Sequence, residues 1–487
     1  MKRTLLLTAL LAACSSSESP ANDGAADAST TDAERDAPPS PPPPPPPVDG
    51  ALGTIVLGNP TDTSLTLNLM TKAELEVYFE YGPAPDAYAS KTDTVKAAPN
   101  VPAVFKLSGL TKDAGHHYRA RYRTPGGGEF AASDDRPFHT QRASSQAFKF
   151  TIQSDSHRDE NSSFDLYKRT LANIRADRPD FHVDLGDTFM TEKFAKSNDD
   201  VVKRYIEERD YFGLITDVTP LFLVNGNHEG EQGWQLNGTE NNQAIWASRA
   251  RLTYYVNPLP DGFYSGNTAS EPVIGQRGGF YAWTWGDALF IALDPFWFTK
   301  VKPGKTGSSG WTWTLGEAQY RWLESTLKTS TAKYKFVFSH HMIGGGADGR
   351  LGTEVADLWE WGGKNTAGVD EFAIKRPGWS KPIHQLLADA KVSAWFHGHD
   401  HLFVRQEKDG IAYYEVPQPS HLGDNGAMTA KQWGYTQGKV LSSSGHMRVS
   451  VSSEKAVVEY VQAFLPADET TPKKNGFVGD TFTIVPR

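Results

Sequence analysis

The chain has 487 residues, with 49 Lys and Arg against 58 Asp and Glu, a net charge of −9 and one cysteine. That balance excludes a broad basic face for gripping a polyanion such as DNA. A lone cysteine excludes a scaffold built on disulfides.

In chain order, Lys2 and Arg3 come first, followed by the apolar stretch 5–11 and then Ala12-Ala13-Cys14. This pattern predicts an export signal at residues 1–13, too short in its apolar part to span a bilayer. Leu11-Ala12-Ala13-Cys14 resembles a bacterial lipobox, which implies cleavage before Cys14, lipidation of that residue and anchoring to a membrane. Ser15 follows the cysteine, where enterobacterial sorting by analogy favours the outer membrane. Residues 14–48 are acidic, nearly free of large apolar side chains, and end in seven prolines, Pro41 to Pro47. Such a segment buries no core and is expected to act as an extended spacer. No later segment approaches ~20 apolar residues, so membrane contact is expected only through the lipid.

From 49 to 142 the text alternates with period two, in Leu65 to Leu69, Leu75 to Gly82, Ala103 to Leu107 and Tyr118 to Tyr122. Short alternating strands separated by turns predict a β-sandwich. The run Leu107-Ser108-Gly109-Leu110, then Tyr118, then Phe138-His139-Thr140, resembles a fibronectin type III domain of the kind that precedes the catalytic domain of purple acid phosphatases. An early core Trp is missing from the resemblance, because all 13 Trp lie after residue 230.

From 146 to 487 strands alternate with helical stretches, such as 164–175 and 199–212. Leu166, Thr170, Leu171 and Ile174 recur at helical spacing and would cover a sheet. Five apolar runs in this part end on metal-type residues: 148–154 before Asp155-Ser156-His157, 181–185 before Gly186-Asp187, and 221–225 before Gly226-Asn227-His228-Glu229. The other two are 336–339 before His340-His341 and 392–396 before His397-Gly398-His399-Asp400-His401. Parallel strands bring their carboxyl ends to one edge of a sheet, so residues distant in sequence are expected to meet. Carboxylate, imidazole and amide oxygen without thiolate suit Zn, Mn or Fe. Asp294 also ends an apolar run, but an Asp closing a strand before Pro295 explains it as well.

The ordered blocks resemble the calcineurin-like metallophosphoesterase superfamily. The resemblance implies an α/β fold with four layers, α/β/β/α, behind the sandwich, and two divalent or trivalent ions. It places Asp155, His157, Asp187 and His401 on one ion, and Asp187, Asn227, His340 and His399 on the other, with Asp187 shared. It gives His228 a role in protonating the leaving group, beside the alternative of a residue that holds Asn227 in place. The side chains of His340 and His341 alternate along an extended chain, so His341 is expected either to face the substrate or to pack. His397 and Asp400 are expected to support the ligands that they flank. Met190 stands three residues after Asp187, where purple acid phosphatases place a tyrosine on iron, and His157 is a ligand that those enzymes lack. Two long insertions, 230–279 and 343–382, are expected to shape a pocket or to pack their Trp residues on the body.

The implied reaction is hydrolysis of a small phosphate monoester outside the cytoplasm. A phosphodiesterase acting on nucleotides or glycerophosphodiesters is the alternative, and a non-catalytic binding module is a third reading from another class. The oligomeric state stays open.

Overall fold

The computed structural model describes residues 50, 52–304, 310–346 and 349–487. Cys14, the signal 1–13 and the spacer up to residue 48 lie outside the described residues.

The amino-terminal part is two sheets facing one another. Strands Thr54–Gly58, Ser64–Met70 and Ala103–Ser108 form the first, and the second is built on Leu75–Gly82 paired antiparallel with Gly115–Arg123. Alternation does the work here: Leu65, Leu67 and Leu69 face Val77, Phe79 and Tyr118 across one dry core, while the intervening side chains look outward.

The larger part holds two further sheets. In the first, Leu221–Leu223, Phe181–Asp184 and Phe148–Gln153 run parallel, followed by antiparallel Gly445–Val451, Ala456–Gln462 and Val478–Ile484. In the second, Ala288–Ala292, Tyr334–Phe338, Ala394–His397 and Ile411–Glu415 are mutually parallel at the centre. Aromatic rings fill the space between them, with Phe222 stacked on Trp283 at 4.1 Å and Phe150 edge-on to Phe290 at 5.1 Å. Each fully buried Phe contributes about 1.5–3 kcal/mol.

Helices cover both outer faces. Phe164–Asp177 is capped by the Ser163 side chain, which accepts from the Leu166 amide, and it buries Tyr167, Leu171 and Ile174. Asn198–Phe212 starts on the Ser197 cap and packs with Leu221, Leu223 and the helix Gln243–Tyr254. On the other sheet, Leu323 and Leu327 of Gly316–Thr329 and Leu387 of Ile383–Asp389 pack over Ile291, Val337 and Trp395.

One buried side chain makes several of the bonds that join the two parts. Arg209 donates to the Thr54 hydroxyl and carbonyl at 3.1 and 3.0 Å, and to the Asn68 side-chain and main-chain oxygens at 2.9 and 2.8 Å. No helix among the described residues is long and apolar enough to cross a membrane.

Candidate metal centre

The parallel strands of both sheets end at one edge, and the loops that leave them interlock. The His399 amide donates to Asp155 Oδ2 at 2.9 Å, tying the last block to the first across the two sheets. Gly398 permits that approach, since a Cβ there would lie 1.8 Å from Ser154 Oγ and 2.4 Å from Asp155 Oδ2. Gly226 is equally constrained, with Asp187 Oδ1 2.3 Å from where its Cβ would stand.

Six of the seven proposed ligands gather in two groups, Asp155 with His157 and His401, and Asp187 with His340 and His399. Asp187 Oδ2 lies 3.1 Å from His340 Nε2 and 3.8 Å from His157 Nε2, so this carboxylate reaches into both groups. His340 Nε2 and His399 Nδ1 are 3.2 Å apart, and His401 Nε2 stands 3.5 Å from Asp155 Oδ1. The donor set fits cations. Asp155 Oδ1, His157 Nε2 and Asn227 Oδ1 are buried acceptor atoms without a hydrogen bond, a costly arrangement unless an ion meets their lone pairs. Asn227, the seventh residue, thus contributes an unsatisfied oxygen.

The ligand backbone is strained. Asp155, His157, Asp187, His399 and His401 all have positive φ, between 54° and 85°. Non-glycine residues reach that region at a cost that only surrounding contacts can hold in place. The buried Glu229 carboxylate supplies many of them, accepting the amides of Asp187 at 2.8 Å, Thr188 at 2.7 Å and Gly226 at 2.6 Å. His340 Nδ1 points at the Leu185 carbonyl, 3.1 Å away, which turns Nε2 toward the centre. His157 Nδ1 meets Asp159, which Lys193 also binds at 3.2 Å.

Charge is concentrated accordingly. Burial works against the charged form of Asp187, but the His340 and His228 rings hold its carboxyl well below the usual range. Burial also opposes charge on His157, yet its Asp159 partner and the nearby Asp187 carboxylate raise its pKa to about 9. His340 likewise reaches about 9, against burial, through Asp187 and Asp155. A metal ion binding these nitrogens displaces the protons, so its affinity falls with acid.

His228 stands at the edge of the cluster, its Nε2 4.0 Å from Asp187 Oδ2. Its Nδ1 lies 3.0 Å from Glu192, and the Glu192 amide donates back to the His228 carbonyl at 3.0 Å. His397 Nδ1 meets Glu415 at 2.7 Å, and Asp400 binds Arg350 at 2.9 Å and the Tyr435 hydroxyl at 2.7 Å.

Of the two fates expected for His341, facing the substrate or packing, its surroundings are those of packing: the side chain is wholly buried, edge-on to Trp313 at 4.5 Å and Phe296 at 5.1 Å. Asp294 is buried beside Arg277 and caps the Phe296 amide at 2.9 Å, away from the ligand role left aside above. Met190 is buried at the start of the helix Thr191–Phe194. Trp residues of the insertions pack, with Trp361 on Trp395 at 4.7 Å and Trp379 stacked on Tyr320 at 4.0 Å. Sequence reasoning missed Asp159 and Glu192 as partners of the site histidines. It also missed a sixth loop at this edge, after Ile411–Glu415.

A family model described as calcineurin-like phosphoesterase matches residues 148–403. Among solved structures, PhoD is similar with a TM-score of 0.62 at 15% identity, over 88% of this chain and 89% of that chain. The purple acid phosphatase PPD1 from seeds of yellow lupin, Lupinus luteus, is similar with a TM-score of 0.57 at 14% identity, over 88% of this chain and 74% of that one. Likeness at these identities is likeness of fold. No curated protein matches the chain significantly.

Proposed function

The chain belongs to the calcineurin-like phosphoesterases and is a metal-dependent phosphoric ester hydrolase, and from that premise we propose that it carries two metal ions and cleaves phosphate monoesters. The observation that carries this reading is the pair of ligand groups with Asp187 reaching both, together with the buried, unsatisfied acceptor atoms of Asp155, His157 and Asn227. Asp155, His157, Asp187 and His401 would hold one ion, and Asp187, Asn227, His340 and His399 the other. Ions held there would supply positive charge for a phosphoryl displacement and would lower the pKa of water. Oxygen and nitrogen donors suit Zn, Mn or Fe.

The remaining steps belong to the chain's own groups. His228 gives a proton from Nε2 to the departing oxygen, and Glu192 fixes the ring by accepting from Nδ1, 3.0 Å away. Burial opposes charge on Glu192, but the His228 ring, and after it Lys302 at 3.8 Å from the other oxygen, leave its pKa lowered. A binding module that had lost catalysis would not need His228 and Glu192 set in this way.

We read the amino-terminal sandwich as fibronectin type III-like and the chain as an exported lipoprotein held by Cys14. The signal pattern at Lys2, Arg3 and 5–14 supports export. Metabolic labelling with palmitate should mark the wild type and not Cys14→Ser.

Purified chain should hydrolyse p-nitrophenyl phosphate faster than bis-p-nitrophenyl phosphate, with two equivalents of metal by elemental analysis. Faster diester turnover would install the phosphodiesterase alternative, and turnover of neither at full metal occupancy would leave only a binding role.

A further inference from the structure

A sixth loop reaches the catalytic edge and brings a histidine whose outer nitrogen has no hydrogen-bond partner among the described residues. Strand Ile411–Glu415 lies parallel beside Ala394–His397, so its carboxyl end opens at the edge where His399 and His401 lie. The loop beyond it is stitched to the first ligand block. Ser420 Oγ donates to the Ser156 carbonyl at 2.9 Å, between Asp155 and His157, and the Ser163 amide donates to the Ser420 carbonyl at 2.7 Å. His421 forms an isolated antiparallel bridge with Ser162, and its carbonyl accepts from Ser444 Oγ at 3.2 Å.

That stitching fixes the imidazole. Nδ1 meets Gln418 Oε1 at 2.9 Å, and Gln418 is itself 1% exposed. A carboxamide oxygen only accepts, so Nδ1 carries the hydrogen and Nε2 is left as a lone pair. The ring is half-buried, and among the described residues no group bonds Nε2. Its neighbour Ser420 bonds the carbonyl of Ser156, which stands between the ligands Asp155 and His157, so the loop seats His421 beside the first ligand group. Burial, reinforced by the His401 and His157 rings, lowers its pKa to about 4, so the lone pair is available near neutral pH.

We propose that His421 is a specificity residue whose Nε2 accepts a hydrogen bond from a hydroxyl on the alcohol half of the substrate. This rests on the phosphomonoesterase reading and narrows it to phosphate monoesters of polyhydric alcohols, such as polyol or sugar phosphates. An acceptor lone pair held at a fixed angle rewards a ligand O–H and gains nothing from an aryl ring. It also repels a phosphoryl oxygen, so its complement is the alcohol and not the phosphate. A site built around a substrate hydroxyl discriminates against analogues that lack it.

The test compares glycerol 2-phosphate with phenyl phosphate, using the metal-loaded full chain, its His421→Ala and His421→Gln variants, and metal analysis of each. His421→Ala should lower kcat/KM for glycerol 2-phosphate by at least about tenfold, leaving phenyl phosphate within about twofold and metal content unchanged. His421→Gln, with an oxygen still able to accept, should recover part of the glycerol 2-phosphate loss. Equal losses on both esters, or no loss on either, would overturn the assignment while leaving the phosphatase reading intact. An unrescued loss in the Gln variant would overturn it too. If the wild type turns over neither ester with its metals bound, the parent reading falls and this one with it.

Discussion

Two buried polar clusters in this chain differ in how their atoms are satisfied. At the seam between the sandwich and the larger part, Arg209 gives its hydrogens to five oxygens, on Thr54, Asn68 and Tyr254. Every donor there has an acceptor. At the strand-end edge the count does not close: Asp155 Oδ1, His157 Nε2 and Asn227 Oδ1 are buried and make no hydrogen bond. The seam is complete as protein, whereas the edge needs cations to complete it. Satisfaction of lone pairs, more than polarity or burial, separates a structural cluster from a chemical one.

The contrast is open to breakage at several strengths. The largest effect belongs to Asp187→Ala, which removes the group reaching both ligand sets. Metal analysis should find both ions lost or greatly depleted and turnover undetectable, with the melting temperature of the metal-stripped protein close to that of stripped wild type. A variant retaining both metals would end the dinuclear reading. Arg209→Met should do the converse, since it strands carbonyls of Thr54 and Asn68 in the interior. Unfolding experiments should show a loss of about 3 kcal/mol, with metal content and kcat of the folded fraction unchanged. If metal were lost instead, the seam and the site would not be separable.

Asp159→Asn tests the boundary between the clusters, because this carboxylate touches His157 and no proposed ion. Affinity for the more weakly held metal should fall about 10–100-fold, measured by competition with a chelator. The smallest effect is on acid stability. His182, buried against the Thr151 hydroxyl at 2.8 Å, has its pKa lowered to about 3 by burial and by His446. Its folded value lies below the unfolded one near 6.5, so the unfolded chain takes the proton first as pH falls. Its stabilising share is therefore whole above about pH 6.5 and is lost progressively toward about 3. Near pH 5.5 the difference amounts to about 1 kcal/mol, and His182→Asn should flatten the stability profile by that amount.

How much of this was readable in the sequence follows from what each feature depends on. The five blocks were visible because a strand end is a local event, and each ligand sits within a few residues of one. The sandwich was visible through the alternation of Leu75, Val77, Phe79 and Tyr81, which the structure buries in turn. Asp159, Glu192 and His421 left no such mark. Their roles arise from what lies across the edge, His157, His228 and Gln418, and no periodicity encodes that meeting. His341 is the instructive middle case. Alternation set it opposite His340, yet only Trp313 and Phe296, both brought from the segment after Asp294, decided that it packs.

The left-handed backbone of five ligands has a consequence for how the chain would drift if its chemistry were no longer needed. Each of those positions is one where glycine would rest more easily than Asp or His. Relaxation and inactivation therefore lie in the same direction, and an idle descendant of this protein would become hardier as it became inert. Glycines at 155, 157, 187, 399 and 401 in a relative would be the fossil of a lost reaction.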